Sequence, residues 1–269
     1  MKNFRVTILT LVMALLFTST SFAIDNDLQT KQYSKEINTM SLQELNTFKK
    51  EIYELNDKQF NQFIVKYLKN NTDYEQVKKE LAKLDVEITV PKLTTNSISP
   101  MYTEAYNANL WVTSAKRGGE SFYRLIAYYG FDKGYAEWNP ATYDVIGVYW
   151  NKNAASFYSY ENSSDEHNSL KSAQNKSEGL LLFNAYDSKM ASGVDFYVAA
   201  YVTKKNNTNI DFGADWTHTY STKSTSSSGS AKVDFGGNGI VGGSIGYTVT
   251  TSTNESSWQI SDVNTIIVK

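Results

Sequence analysis

Residues 228–253 read SGSAKVDFGGNGIVGGSIGYTVTTST. Odd-numbered Ala231, Val233, Phe235, Val241, Ile245, Tyr247 and Val249 are apolar, while even-numbered Ser230, Lys232, Asp234, Asn238, Ser244, Thr248 and Thr250 are polar. A period of two belongs to a strand and not to a helix. The GGNG between the halves marks a turn. Parity that survives the turn requires a connection with an odd number of residues. A five-residue loop over 236–240 sets Phe235 opposite Val241 and brings both apolar rows to one face.

The same signature extends over 101–269. Strands are expected over 109–115, 121–131, 143–150, 155–160, 179–186, 194–203, 210–222, 230–235, 240–251 and 258–268. These runs are rich in Tyr, Phe, Val, Ile and Thr and are punctuated by Gly and Asn. No helical period intervenes, apart from a short turn around 169–175. Short connections between consecutive strands favour an all-β antiparallel sandwich over a parallel sheet.

Composition changes sharply upstream. All fifteen glycines lie between Gly118 and Gly246, and all five tryptophans lie at or beyond Trp111. Residues 1–23 form a signal-peptide pattern: Lys2 and Arg5, an apolar run from Val6 to Phe17, and Ser21-Phe22-Ala23 before the cut. Residues 24–90 read as an antiparallel helical unit. Ser41 with Glu44, and Asn56 with Gln59, have the spacing of capping boxes. Leu42, Leu45, Phe48, Ile52 and Leu55 recur at helical spacing, as do Phe60, Phe63, Ile64, Tyr67 and Leu68. A third helix opens at Thr72. Residues 91–100, with Pro91 and Pro100, read as a linker. The fold class is therefore α+β, and the helical region has the position of a pro-segment.

Charge and chemistry narrow the function. Without Lys2 and Arg5 the formal charge falls from −2 to about −4, which disfavours nucleic acid and anionic lipid as partners. The chain has no cysteine and two histidines, His167 and His218, both read as surface residues without a chemical role. Gly237-x-Gly239-x-x-Gly242 matches a dinucleotide fingerprint, but a β pattern follows where a helix is needed. Glu161, Asp165 and Glu166 lack the spacing of a calcium loop. No catalytic residue, metal ligand or cofactor site is assigned, and the chain reads as non-enzymatic.

Nineteen Tyr, thirteen Phe and five Trp remain to be explained. The stretch FYRLIAYYGFDKGYAEW carries Tyr128, Tyr129, Tyr135 and Trp138, which are assigned as exposed binding residues. Tyrosine and tryptophan surfaces suit sugar rings and protein partners. The expected role is a secreted protein that binds an extracellular target, the cell wall or another glycan, or a protein.

Two resemblances accompany this reading. YRLIAYYGFD, ATYDVIGVYW, DWTHTYST and SSWQISDVNTIIV loosely resemble uncharacterised secreted proteins of Bacillus-like bacteria, which implies secretion and a β domain with no activity attached. Locally, GIVGGSIGYTV over 239–249 is similar to the stem hairpin of leukocidin-type toxins. That similarity implies a second reading, a β-pore-forming toxin or antimicrobial effector with a removable helical pro-region. Val233, Phe235, Val241, Ile245, Tyr247 and Val249 would then face lipid. Limited proteolysis is expected to cut first between Val90 and Met101; first cuts inside 194–203 would contradict the division.

Overall fold

Local capping sets the helices. The computed structural model describes residues 37–91, 107–132, 144–186, 196–221, 230–235, 245–250 and 255–268. Helix α1 (Leu42–Glu54) starts at Ser41, whose side chain accepts from Glu44 N–H while the Glu44 carboxylate accepts from Ser41 N–H. Asn56 and Gln59 make the same reciprocal pair at the head of α2 (Asp57–Lys69). Helix α3 (Tyr74–Lys83) is capped by Asp73, which accepts from Gln76 N–H, one residue beyond the expected Thr72. An aspartate there also places negative charge at the positive end of the helix dipole. Asp85, with φ of 59°, then turns the chain from α3 into a strand.

Among the described residues twelve strands follow: β1 (Val86–Thr89), β2 (Ala108–Arg117), β3 (Phe122–Phe131), β4 (Asp144–Trp150), β5 (Ala155–Asn162) and β6 (Asn168–Ser172), then β7 (Leu180–Ala185), β8 (Phe196–Lys204), β9 (Ile210–Ser221), β10 (Ser230–Phe235), β11 (Ile245–Thr250) and β12 (Glu255–Ile266). Sheet A runs β1-β2-β3-β8-β5 and sheet B runs β12-β9-β4-β7-β6, and every pairing is antiparallel. The fold is α+β: a helical layer followed by a β-sandwich. Two strands depart from the sequence reading. The region read as helical ends in β1, which pairs with β2 and so belongs to sheet A. The turn expected around 169–175 begins with β6, the edge of sheet B. Both are too short, and too polar in the case of β6, for periodicity to register.

Strands β10 and β11 form a separate two-stranded ribbon. Ala231 pairs with Val249, Val233 with Tyr247 and Phe235 with Ile245, so the odd rows oppose each other. Phe235 therefore opposes Ile245 and not Val241, and Val241 lies outside the described residues.

Sheet A is covered on both faces. Leu110, Val112, Leu125, Ala127, Val198, Ala200 and Val202 face sheet B, where they meet Ile146, Val148, Leu181, Phe183, Phe212 and Trp216. The opposite face carries Trp111, Ala115, Ile126, Tyr128, Tyr197 and Tyr201, which pack against Phe48, Ile52, Phe60, Ile64 and Leu68 of the helices. Beyond the end of β1, the edge of β2 is closed by β12: Asp262 accepts from Val112 N–H at 2.8 Å, and Asn264 donates to Val90 O at 2.8 Å.

Two arginines fasten the helical layer. Arg117 donates from Nη1 to Leu55 O at 2.7 Å, serving the open carbonyls at the end of α1, and from Nε to Glu120 at 2.7 Å. Arg124 has no solvent exposure. Its guanidinium bonds Glu120 and reaches Asp57 of α2 at 2.5 Å, between the rings of Phe60, Phe122 and Tyr201 at 4.7, 4.7 and 5.3 Å. Burial by itself would raise the pKa of Glu120, but bonds from Arg124 and from Arg117 N–H outweigh it and hold the carboxyl below its usual range.

A depressed carboxylate pKa stabilises the fold above the unfolded value, about 4.3, and that stabilisation is lost as pH falls below it. Urea titrations are therefore expected to show an acid loss of stability that shrinks in Glu120→Gln. Arg124→Ala, which leaves buried Glu120 without its main partner, is expected to cost about 3–5 kcal/mol in the same measurement. Asp57→Ala is expected to cost less, because the Asp57 side chain is 42% exposed.

Candidate functional site

The assigned aromatic residues do not form an exposed surface. Tyr128 and Tyr129 are neighbours on β3, so their side chains leave opposite faces of sheet A. Tyr128 is 6% exposed under the helical layer, where its ring stacks on Trp111 at 4.6 Å. Tyr129 is 0% exposed between the sheets, and its hydroxyl accepts from Asn168 Nδ2 at 2.9 Å. Burial pushes the pKa of the Tyr129 hydroxyl up, and the nearby Asp144 adds to that shift. The structure corrects the expectation that these two are exposed: both faces of β3 are covered, so neither ring meets solvent. Tyr135 and Trp138 lie outside the described residues, as does Val241. The other hairpin positions, Val233, Phe235, Ile245, Tyr247 and Val249, are placed on β10 and β11 by register alone.

Exposed aromatics gather elsewhere. Among the described residues, the large hydrophobic side chains that remain exposed are Leu42, Tyr53, Tyr158, Tyr160 and Ile267. Tyr158 and Tyr160, at 56% and 41%, stand together on β5, the terminal strand of sheet A. The register of β5 against β8 shifts between Phe157 and Ser159. An extra residue at a bulge re-aims the side chains around it. Phe157 stacks on Trp150 at 6.4 Å on the side of sheet B. Tyr158 turns to the other face and stacks on Phe122 at 4.8 Å with the rings 17° from parallel.

This tyrosine has a rigid backing. Phe122 stacks in turn on Tyr201 at 5.4 Å, and the Arg124 guanidinium lies over both. Tyr201 accepts from Asn61 of α2 at 2.9 Å. The exposed ring thus ends a column whose buried part is fixed by the arginine network. Tyr160 leans on Phe183 of sheet B, edge to face at 6.2 Å. The pair presents two rings, one on each side of the β5 edge. Such an arrangement offers flat apolar contact and, from the strand itself, main-chain donors and acceptors.

A second polar constellation lies in the core. Asp144 at the start of β4 accepts from Trp216 Nε1 at 2.7 Å and from Thr219 N–H at 3.0 Å, and it bonds His218 Nδ1 at 2.8 Å. Asp144 and His218 are both at 0% exposure, ringed by Phe131, Trp216, Tyr220 and Trp258. His218 is therefore not a surface residue. The aspartate ties the end of β4 to three residues of β9 and serves as a packing anchor for sheet B. His167 does sit in the polar loop between β5 and β6, with Nδ1 3.0 Å from Ser164 Oγ. In that loop the Asp165 carboxylate accepts from Asn162 Nδ2, and Glu161 accepts from Asn162 N–H. No group of three or more His, Asp or Glu side chains among the described residues is placed to hold a metal ion.

No family model and no curated protein matches the chain. Among solved structures, it is similar to a cohesin module from a Clostridium perfringens family 33 glycoside hydrolase, at 12% identity and a TM-score of 0.30, over 56% of this chain and 93% of that one. It is also similar to a structure from work on pH-induced modulation of Streptococcus parasanguinis adhesion by Fap1 fimbriae, at 11% identity and a TM-score of 0.26, over 63% of this chain and 82% of that one.

Substitutions separate core tyrosines from edge tyrosines. Tyr128→Ala is expected to cost about 3–5 kcal/mol of stability, the range for removing a buried aromatic. Tyr158→Ala is expected to cost about 0.5–1.5 kcal/mol, the worth of one aromatic pair. Thermal or urea unfolding of the two variants checks both values.

Proposed function

We propose that the chain is an exported, non-enzymatic binding module that holds an extracellular partner on the β5 edge of its sandwich. One observation carries this reading: Tyr158 and Tyr160 stay exposed on opposite sides of the β5 edge while the other aromatics described on sheet A are largely withdrawn into its two faces. Export rests on the leader pattern of residues 1–23. Among the described residues no helix is long and apolar enough to cross a membrane. The partner is an extracellular glycan or protein. Tyrosine rings suit either, since a flat apolar face with a polar tip can take a sugar or a side chain.

Retention on peptidoglycan, a polysaccharide panel and immobilised surface proteins is the direct test. The double variant Tyr158→Ala, Tyr160→Ala is expected to lose at least about tenfold in affinity, equivalent to about 1.4 kcal/mol, with the fold retained. Hydrolysis of any panel member would replace this reading with an enzymatic one.

The register of β10 with β11 favours a second reading, in which the ribbon enters a membrane and the helical region is a removable pro-segment. Val233 opposite Tyr247 and Phe235 opposite Ile245 align one apolar row along the ribbon. Among the described residues each strand has six, against the roughly 9–11 that a spanning strand needs. Calcein release from liposomes, before and after protease treatment, separates the readings. Leakage that Val241→Asp abolishes without unfolding the protein would favour the ribbon; no leakage with any lipid would leave the edge-binding module.

A further inference from the structure

We propose that the partner on the β5 edge is an extended polypeptide segment, which docks by adding a short strand to sheet A; this rests on the reading of β5 as the contact edge. The four sheet edges differ in how they are closed. Strand β1 has four residues and carries exposed Glu87. Strand β12 is joined through Asp262 and Asn264 to the main chain of sheet A. Strand β6 has five residues, includes Lys171 and is interrupted by a register shift. Strand β5 has eight residues and contains no Lys, Arg or Pro. Short length and lysine are among the usual defences of an edge, and β5 has neither, although it carries Glu161 and a register shift of its own.

Among the described residues, the hydrogen-bond pattern locates the open position. Ser163 N–H bonds Tyr197 O on β8, so the N–H groups at 161 and 159 also point toward β8 in an antiparallel ladder, and those at 160 and 162 point away. The outward N–H of Asn162 is taken by the Glu161 carboxylate at 2.9 Å. The register shift lies between Phe157 and Ser159. Between these two devices lies Tyr160, whose outward main-chain groups sit between the two exposed rings. A segment pairing there would align its main chain with Tyr160 and lay alternate side chains against Tyr158 on one face and Tyr160 on the other. Strand addition of this kind draws affinity from the main chain and selectivity from the flanking pockets.

Main-chain and ring contributions can be separated at one position. The probe is an array of short extended peptides with alternating apolar and polar residues. It includes the β8 sequence Phe196–Lys204, which β5 already accepts on its other edge. Tyr160→Ala removes the ring and keeps the outward N–H. Tyr160→Pro removes both and leaves the N–H groups bonded to β8 in place. The wild-type protein is expected to bind array members, and Tyr160→Pro to bind them at least about fivefold more weakly than Tyr160→Ala, the worth of about one net hydrogen bond. N-methylation of the bound peptide at alternate residues is expected to abolish binding to the wild type, which tests the mode even if the proline variant does not fold. Equal affinities for the two variants, or indifference to N-methylation, would overturn the inference. Retention on glycans through the two rings, with no peptide bound, would overturn it while leaving the binding module intact. No retention on any partner would remove both. Sedimentation equilibrium showing a dimer that Tyr160→Pro dissociates would assign the edge to a second copy instead.

Discussion

A guanidinium with no contact with solvent determines how the layers of this protein meet. Arg124 stands on a central strand of sheet A, and its charge must be matched where it lies. Removing an ion from water costs several kcal/mol unless partners replace the solvent. Glu120 on the preceding turn supplies one carboxylate and Asp57 at the first turn of α2 supplies the other. Burial acts to lower the arginine pKa, and the bonds to Glu120 and Asp57 outweigh it and hold it above its ordinary value. The consequence is positional. Helix α2 has to start where its first carboxylate reaches Arg124, and Phe60 then falls on the face of the same guanidinium. Arg117 adds a second constraint by holding the carbonyl end of α1. The helices are fixed to sheet A by charge geometry as well as by apolar burial, and β1 stitches the end of the helical unit into the sheet.

This attachment bears on how the sequence divides. The composition break near residue 100 is real, and among the described residues one core joins Phe48, Ile64 and Leu81 to Ile126, Tyr197 and Ala199. The two faces of sheet A are built differently for that reason. The face toward sheet B is largely aliphatic. The face toward the helices uses tyrosine and arginine, whose polar ends find Lys58 O, Asn61 and Asp57. Burial drives the hydroxyl pKa values of Tyr197 and Tyr201 upward, so both remain neutral donors and acceptors for the helices.

The parts of this fold that depend on neighbours in sequence were legible in it. The capping boxes at Ser41 and Asn56 use residues three apart, and strand parity uses residues two apart. What depends on distant partners was not. Strand β1 has four residues and exists because β2 pairs with it. The run FYRLIAYYGF contained a readable warning, since ten residues with almost no polar alternation describe a strand buried on both faces. Read that way, Tyr128 and Tyr129 belong to a core and not to a surface. The edge tyrosines carried the opposite signal: in ASFYSYEN, Ser159 separates Tyr158 from Tyr160 and no aliphatic side chain follows Ala155. That β5 ends a sheet cannot be read from those eight residues, because edge position is a property of the strand order.

The site and the scaffold are therefore one system. Tyr158 is exposed, but its ring rests on Phe122, which rests on Tyr201 and Arg124, which are held by Asn61 and Asp57 of α2. A surface aromatic ordinarily loses rotamer freedom when a partner arrives, at about 0.5–1.5 kcal/mol for each side chain immobilised. Here the stacking column has already restricted that freedom before any partner binds. The helical layer thus does more than cover one face of sheet A. By closing the arginine network from the far side, it pre-orders the Tyr158 ring at the β5 edge, where the proposed partner would dock.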